Sequence, residues 1–121
     1  MYQNFPYFCF MKSNELVKGT LKTIILNLLA ENGKMYGYEI TQAIKELTKG
    51  EIVITEGSLY PALHGMLAEG ILATESVHIG KRVRKYYKLT REGKAETKKK
   101  INEFSEFVVL MQGLLNLKPV H

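Results

Sequence analysis

Two groups of residues in this sequence have the types and spacing to do chemistry, and the first points to a polyanion. The first is the segment from Lys81 to Lys100, where Lys81, Arg82, Arg84, Lys85, Lys88, Arg91, Lys94, Lys98, Lys99 and Lys100 face only Glu92 and Glu96. That segment carries a net charge of +8, whereas the whole chain of 121 residues carries +5 from 17 basic and 12 acidic side chains. The basic character is therefore local, and a local basic patch is the electrostatic footprint of nucleic-acid binding. The structural alternative is a solvated face. The second group is Tyr60 and His64, an i, i+4 pair that projects together from one side of a helix. A phenol hydroxyl and an imidazole in that relation can hydrogen-bond to phosphate or to base edges.

Reactive chemistry has no such support. There is no Gly-rich phosphate loop, no His-Glu-x-x-His and no paired cysteine, and His64, His78 and His121 stand apart. Ser58 has no base beside it and reads as a helix N-cap; Glu92 and Glu96 fall on a solvated helical face. We expect no enzyme, no cofactor and no metal. The single cysteine, Cys9, rules out an intrachain disulfide and fits a cytoplasmic location. The longest apolar stretch, Ile24 to Ala30, is interrupted by Asn27 and falls short of a membrane span. The first ten residues, MYQNFPYFCF, lack a basic n-region and contain Pro6, unlike a secretory signal. They read as an upstream extension or misassigned start, or alternatively as an arm that packs on a partner chain.

The elements that would position these groups follow from periodicity. Val17, Leu21, Ile24 and Leu28 stripe a first helix over about 14–31, with Thr20 as an alternative N-cap after Gly19 and Asn32-Gly33 as its stop. Ile40, Ala43, Ile44 and Leu47 share a face of a second helix over about 37–48. Ile52-Val53-Ile54 is a β-branched run too short for a helix. A third helix spans about 55–69, with Leu59, Leu63, Met66 and Leu67 inward and Ser58 as N-cap, which would put Pro61 in the first turn. Residues 72–78 and 82–89 read as a hairpin around Ile79-Gly80-Lys81. Val83, Tyr87 and Leu89 would lie on one face, and Arg82, Arg84, Tyr86 and Lys88 on the other. Tyr87 is thus expected in the core. Thr90 caps a fourth helix over about 91–116. Ile101, Phe104, Val108, Met111 and Leu115 form one heptad-like seam on it, and Phe107, Leu110, Leu114 and Leu117 form a second.

Three helices, a hairpin and a long helix is the order of a winged helix-turn-helix with a dimerisation helix appended. The expected class is mainly α with a small β-hairpin wing (α+β). The expected organisation is a disordered N-terminal extension at 1–13, a winged DNA-binding domain at 14–90 and a C-terminal dimerisation helix at 91–118.

The motifs carry a resemblance in the same order. They are Leu16-Val17-Lys18-Gly19-Thr20-Leu21, Tyr36-Gly37-Tyr38-Glu39-Ile40, Gly57-Ser58-Leu59-Tyr60-Pro61-Ala62-Leu63 with Leu67-Ala68-Glu69-Gly70-Ile71-Leu72, and Arg84-Lys85-Tyr86-Tyr87-Lys88-Leu89-Thr90-Arg91-Glu92-Gly93. Together they resemble the PadR family of bacterial transcriptional regulators, over about 16–93 by motif and to about 117 by helix length. The resemblance implies a cytoplasmic winged-helix repressor acting as a homodimer on double-stranded DNA. It also implies a small aromatic or drug-like effector, as in many members. Two departures stand against a full match: residues 1–10 fit no family motif, and the chain has no Trp for an indole-lined effector pocket.

On this reading the third helix reads DNA through Ser58, Tyr60, Pro61 and His64 near its start. It carries no Arg, so the strong bidentate guanine contact is missing from it and shape and backbone readout gain weight. Lys81, Arg82 and Arg84 at the wing reach phosphates or a minor groove. Tyr38 either packs in the core or sets its hydroxyl on a phosphate at the start of the second helix, and Tyr60 either packs or reads. Lys98 to Lys100 read as solvated helix surface. The dimer is expected through Ile101, Phe104, Phe107, Val108, Met111, Leu114 and Leu115, with neither seam preferred. The competing classes are a winged helix serving as a protein-interaction module and a small-molecule carrier built on the fourth helix.

Overall fold

The computed structural model of the chain describes residues 15–118, so the expected extension at 1–13 lies outside the described residues. The apolar stripe of the first helix forms as read: α1 (Glu15–Asn32) buries Val17, Leu21, Ile25, Leu26, Leu28 and Leu29. Thr20 does not cap it. Its hydroxyl donates back to the carbonyls of Leu16 (3.0 Å) and Val17 (3.1 Å), the mid-helix option of a threonine, so the helix runs unbroken through Gly19. Gly33, at φ 84°, ends it, and its N–H donates to Leu29 O at 2.9 Å.

The next element was not anticipated. β1 (Lys34–Tyr36) is a three-residue strand that leads directly into α2 (Gly37–Leu47). Its Met35 is buried. The Tyr36 N–H at the head of α2 donates to Glu39 Oε1 at 3.1 Å, satisfying one of the unpaired N-terminal donors. Ile40 and Ile44 are buried as expected, but Leu47, assigned to the same face, is 73% exposed because the last turn overruns the core. The run Ile52-Val53-Ile54 forms no strand. It is a connection pinned by buried Ile54 and by Thr48, whose Oγ1 accepts the Ile52 N–H at 3.0 Å.

α3 (Glu56–Ala68) corrects the expected cap. Thr55, in extended backbone, is the N-cap, and its Oγ1 accepts the Ser58 N–H at 3.3 Å. Ser58 therefore sits in the first turn and Pro61 in the second, where the proline deprives the Gly57 carbonyl of its helical donor. The hydroxyl of Thr55, three residues before Ser58, takes the role because Thr55 is the residue in extended backbone. Gly70, at φ 78°, closes the helix. The Ile71 N–H donates to Met66 O and the Gly70 N–H to Leu67 O, a Schellman closure.

β2 (Leu72–Ile79) and β3 (Arg82–Leu89) form the hairpin, with Ile79 opposite Arg82 across the turn at Gly80. The sheet order is β1-β3-β2, all antiparallel, with Lys34 opposite Lys88, Met35 opposite Tyr87 and Tyr36 opposite Tyr86. Tyr87, Leu72 and Met35 point into the core with Ile25, Ile40, Leu59 and Leu63. Val83, expected on that face, is 60% exposed because the hairpin projects beyond the last core layer.

Thr90 caps α4 (Arg91–Leu114): its Oγ1 accepts the Gly93 N–H at 3.0 Å and donates to Gly70 O at 2.7 Å, and its N–H donates to Ile71 O at 3.1 Å. At Gly93 a Cβ would collide with the Ile71 carbonyl oxygen, so α4 lies against the α3–β2 junction backbone to backbone. Buried Thr97 completes this anchor, donating to Gly93 O at 2.8 Å.

Candidate nucleic-acid interface

A cleft of about 410 Å³ lies where the start of α2, the outer side of α3 and the projecting hairpin meet. Its α2 and α3 walls are Tyr36, Gly37, Tyr38, Tyr60 and His64. Its wing wall comprises Ile79, Arg82, Val83, Arg84, Lys85 and Tyr87. The fold therefore brings Tyr38, Tyr60, His64, Arg82 and Arg84 to one site. Ser58 and Pro61, near the start of α3, and Lys81, at the hairpin turn, do not line the cleft itself.

Tyr60 does two things at once. It is half-buried, and its hydroxyl end lies so close over Gly37 that a Cβ there would strike it. The glycine of the Tyr36-Gly37-Tyr38 motif thus makes room for this ring. His64, one turn further along, is exposed, with its ring centroid 6.2 Å from that of Tyr60. Tyr38 is 63% exposed, which removes the core-packing alternative for it. Pro61 is exposed and Ser58 half-buried. Burial raises the Tyr87 phenol above its ordinary range and keeps it neutral behind the cleft, with Tyr60 adding to the effect.

The cations divide sharply. Lys81, Arg82 and Lys85 are exposed, and none joins an ion pair among the described residues. Arg84 is half-buried, with its guanidinium carbon 4.1 Å from the Tyr36 ring centroid. Hydrogen bonding to Tyr86 holds Arg84 further above its ordinary range. Lys88 is neutralised lower in the hairpin, where Glu75 binds Lys34 at 2.7 Å and Lys88 at 3.2 Å. Those hydrogen bonds, Lys34 first, hold the Glu75 carboxyl below its usual range, and Glu75 in turn raises Lys34. Lys85 was not among the expected contacts. Alternation places it on the face of Val83 and Tyr87, but both strand faces line the cleft at the wing, so the period alone does not assign it to the site.

The seams of α4 are uncovered. Ile101, Phe104, Phe107, Val108, Leu114 and Leu115 are exposed and Met111 is half-buried. Ile101 and Phe104 border an apolar groove of about 460 Å³ with Ile24, Leu28 and Leu47. Lys94 and Lys98 rim a separate hollow beside Leu29 and Leu89, and Lys100 pairs with Glu103 at 3.5 Å. Among the described residues no cluster of His, Cys, Asp or Glu can hold a metal ion, and no helix is long and apolar enough to cross a membrane.

Residues 25–99 match the PadR-like family of transcriptional regulators. The transcriptional regulator Rv3488 of Mycobacterium tuberculosis is 32% identical over 81 residues, covering 67% of this chain and 72% of that one. A transcriptional regulator from Clostridium thermocellum superposes with a TM-score of 0.74 at 32% identity, covering 85% of this chain and 96% of its own. A PadR-like transcription factor from Bacteroides fragilis gives 0.69 at 29% identity, covering 83% and 94%. These relatives are transcriptional regulators, not enzymes.

Proposed function

Because the chain belongs to the PadR-like family of transcriptional regulators, we propose that it binds double-stranded DNA as a homodimer and represses transcription in the cytoplasm. The observation that carries this reading is the cleft. It sets the exposed side of α3 beside Arg82 and Lys85 of the wing, which join no ion pair among the described residues. The start of α3 enters the major groove and presents Ser58, Tyr60, Pro61 and His64 to the bases. Exposed Tyr38 and the N-terminus of α2 take a phosphate. Lys81, Arg82, Arg84 and Lys85 follow the backbone on the flanking turn. α3 has no arginine, so base readout is modest and DNA shape contributes to selectivity.

The exposed seams of α4 support the homodimer. Each large apolar side chain left in water forgoes about 1.5–3 kcal/mol, and monomers rarely tolerate a contiguous patch of this kind. A two-fold dimer then offers two reading helices to half-sites one helical turn apart. A small aromatic or drug-like effector would relieve repression, recognised without indole stacking because the chain has no Trp.

A mobility-shift series on DNA from the protein's own promoter, run from low to moderate salt, tests the reading. With about six phosphates neutralised, affinity should fall by orders of magnitude across that range. Binding indifferent to salt, or no binding to any fragment, would sink it.

A further inference from the structure

The outer face of the sheet carries an alternation of cations and rings. Lys34 Nζ lies 5.1 Å from the Tyr86 ring centroid. The Tyr86 ring meets that of Tyr36 edge-on, at 5.5 Å and 80°. Tyr36 in turn carries the Arg84 guanidinium at 4.1 Å. The register explains the order: Tyr36 pairs with Tyr86, which places Arg84 on the diagonal within reach of the ring. Arg82, two residues further on the same face, is exposed and has no aromatic partner among the described residues.

We propose that Tyr36 is a positioning residue for DNA binding, holding the Arg84 guanidinium flat so that the N–H donors it does not give to Tyr86 meet a backbone phosphate. The proposal rests on the DNA-binding reading above. A stacked guanidinium keeps its in-plane donors available, and a planar fork matches phosphate geometry bidentately. The stack also removes most of the rotamer freedom that Arg84 would otherwise lose on binding. Tyr36 is the last residue of β1 and directly precedes α2. The ring that steers the wing arginine is therefore continuous in chain with the element beside the reading helix, which fixes Arg84 relative to α3 and not merely relative to the hairpin.

The test uses the full chain on two duplexes, promoter DNA and a scrambled control, with affinity measured against salt. Arg84→Gln should weaken binding to both duplexes alike and make the log–log salt slope shallower by about 1. Tyr36→Leu should reproduce both effects, and the double variant should bind no more weakly than Arg84→Gln alone. Tyr36→Phe, which keeps the ring, should stay within about twofold of the wild type. Arg84→Lys keeps the charge at an outward-facing site but loses the planar fork. It should bind about five- to tenfold more weakly than the wild type, which keeps the test decisive if Tyr36→Leu does not fold. Additive losses in the double variant, an unchanged slope in Tyr36→Leu, or wild-type affinity in Arg84→Lys would each overturn the proposal while leaving DNA binding intact. A wild-type chain that binds neither duplex would overturn the DNA-binding reading and this one with it.

Discussion

The two ends of the β2–β3 hairpin obey opposite rules. At the base, Tyr87 is 2% exposed and Leu72 is buried beside it, and the outward-facing cations have an acidic partner, Glu75 holding both Lys34 and Lys88. At the tip, Val83 stands in water and Lys81, Arg82 and Lys85 have no acidic partner among the described residues. Both ends belong to one continuous ladder, so the strands themselves do not distinguish them. What differs is whether a side chain finds its partner inside the molecule. The base spends its apolar and charged groups on folding. The tip leaves them unspent, and an unspent cation in a folded protein is available to an external anion.

The contrast breaks most severely at Tyr87. Tyr87→Ala removes the largest fully buried side chain and opens a cavity, so unfolding free energy should drop by about 3–5 kcal/mol in chemical denaturation. A loss below about 1 kcal/mol would mean that the base is no more structural than the tip. Arg82→Ala probes the other end. Stability should stay within about 0.5 kcal/mol of the wild type. Affinity for promoter and scrambled DNA should fall together, by about tenfold, because phosphate and groove-shape contacts carry little base information. A selective loss on promoter DNA alone would relocate base reading to the wing. The smallest effect belongs to Glu75. Its folded pKa lies below its unfolded value, so its stabilisation is present above the unfolded pKa and disappears as pH falls through the lower, folded one. Glu75→Gln should therefore lower the melting temperature slightly at neutral pH and converge with the wild type in acid. The partial solvent exposure of these side chains keeps that difference small. Parallel melting curves at every pH would show that the triad contributes nothing.

The base was legible in the sequence and the tip only in part. Alternation identified Tyr87 as the buried tyrosine because period two holds wherever one face meets a core. The same alternation places Lys85 beside Tyr87, yet a lysine in a basic run reads as solvated surface until a cleft wall is seen to contain it. β1 was invisible for a different reason. Three residues cannot display a period, and Lys34–Tyr36 becomes a strand only by pairing with residues fifty or more positions away. The α3 cap falls on Thr55 and not on Ser58 because both carry a hydroxyl and only the backbone conformation decides which one caps. Leu47 fitted its helical stripe perfectly well but overran the core, whose extent no local pattern reports. The long helix was plain from its seams, and which seam meets a partner is a property of two chains.

The contact at Gly93 has a mechanical consequence. α4 leaves the domain from a seat where helix backbone rests on the Ile71 carbonyl, with no side chain between them to compress. From that seat to Leu114 the helix extends roughly 32 Å at 1.5 Å per residue. It is a lever with a stiff fulcrum and a long arm. In the proposed dimer, with the far ends clasped, a tilt of about 5° at the clasp would swing the stiff seat, and the reading helix with it, by roughly 3 Å, close to the rise of one base pair. The gearing converts a small change of angle among apolar side chains on the shaft into a mismatch with the helical repeat of DNA.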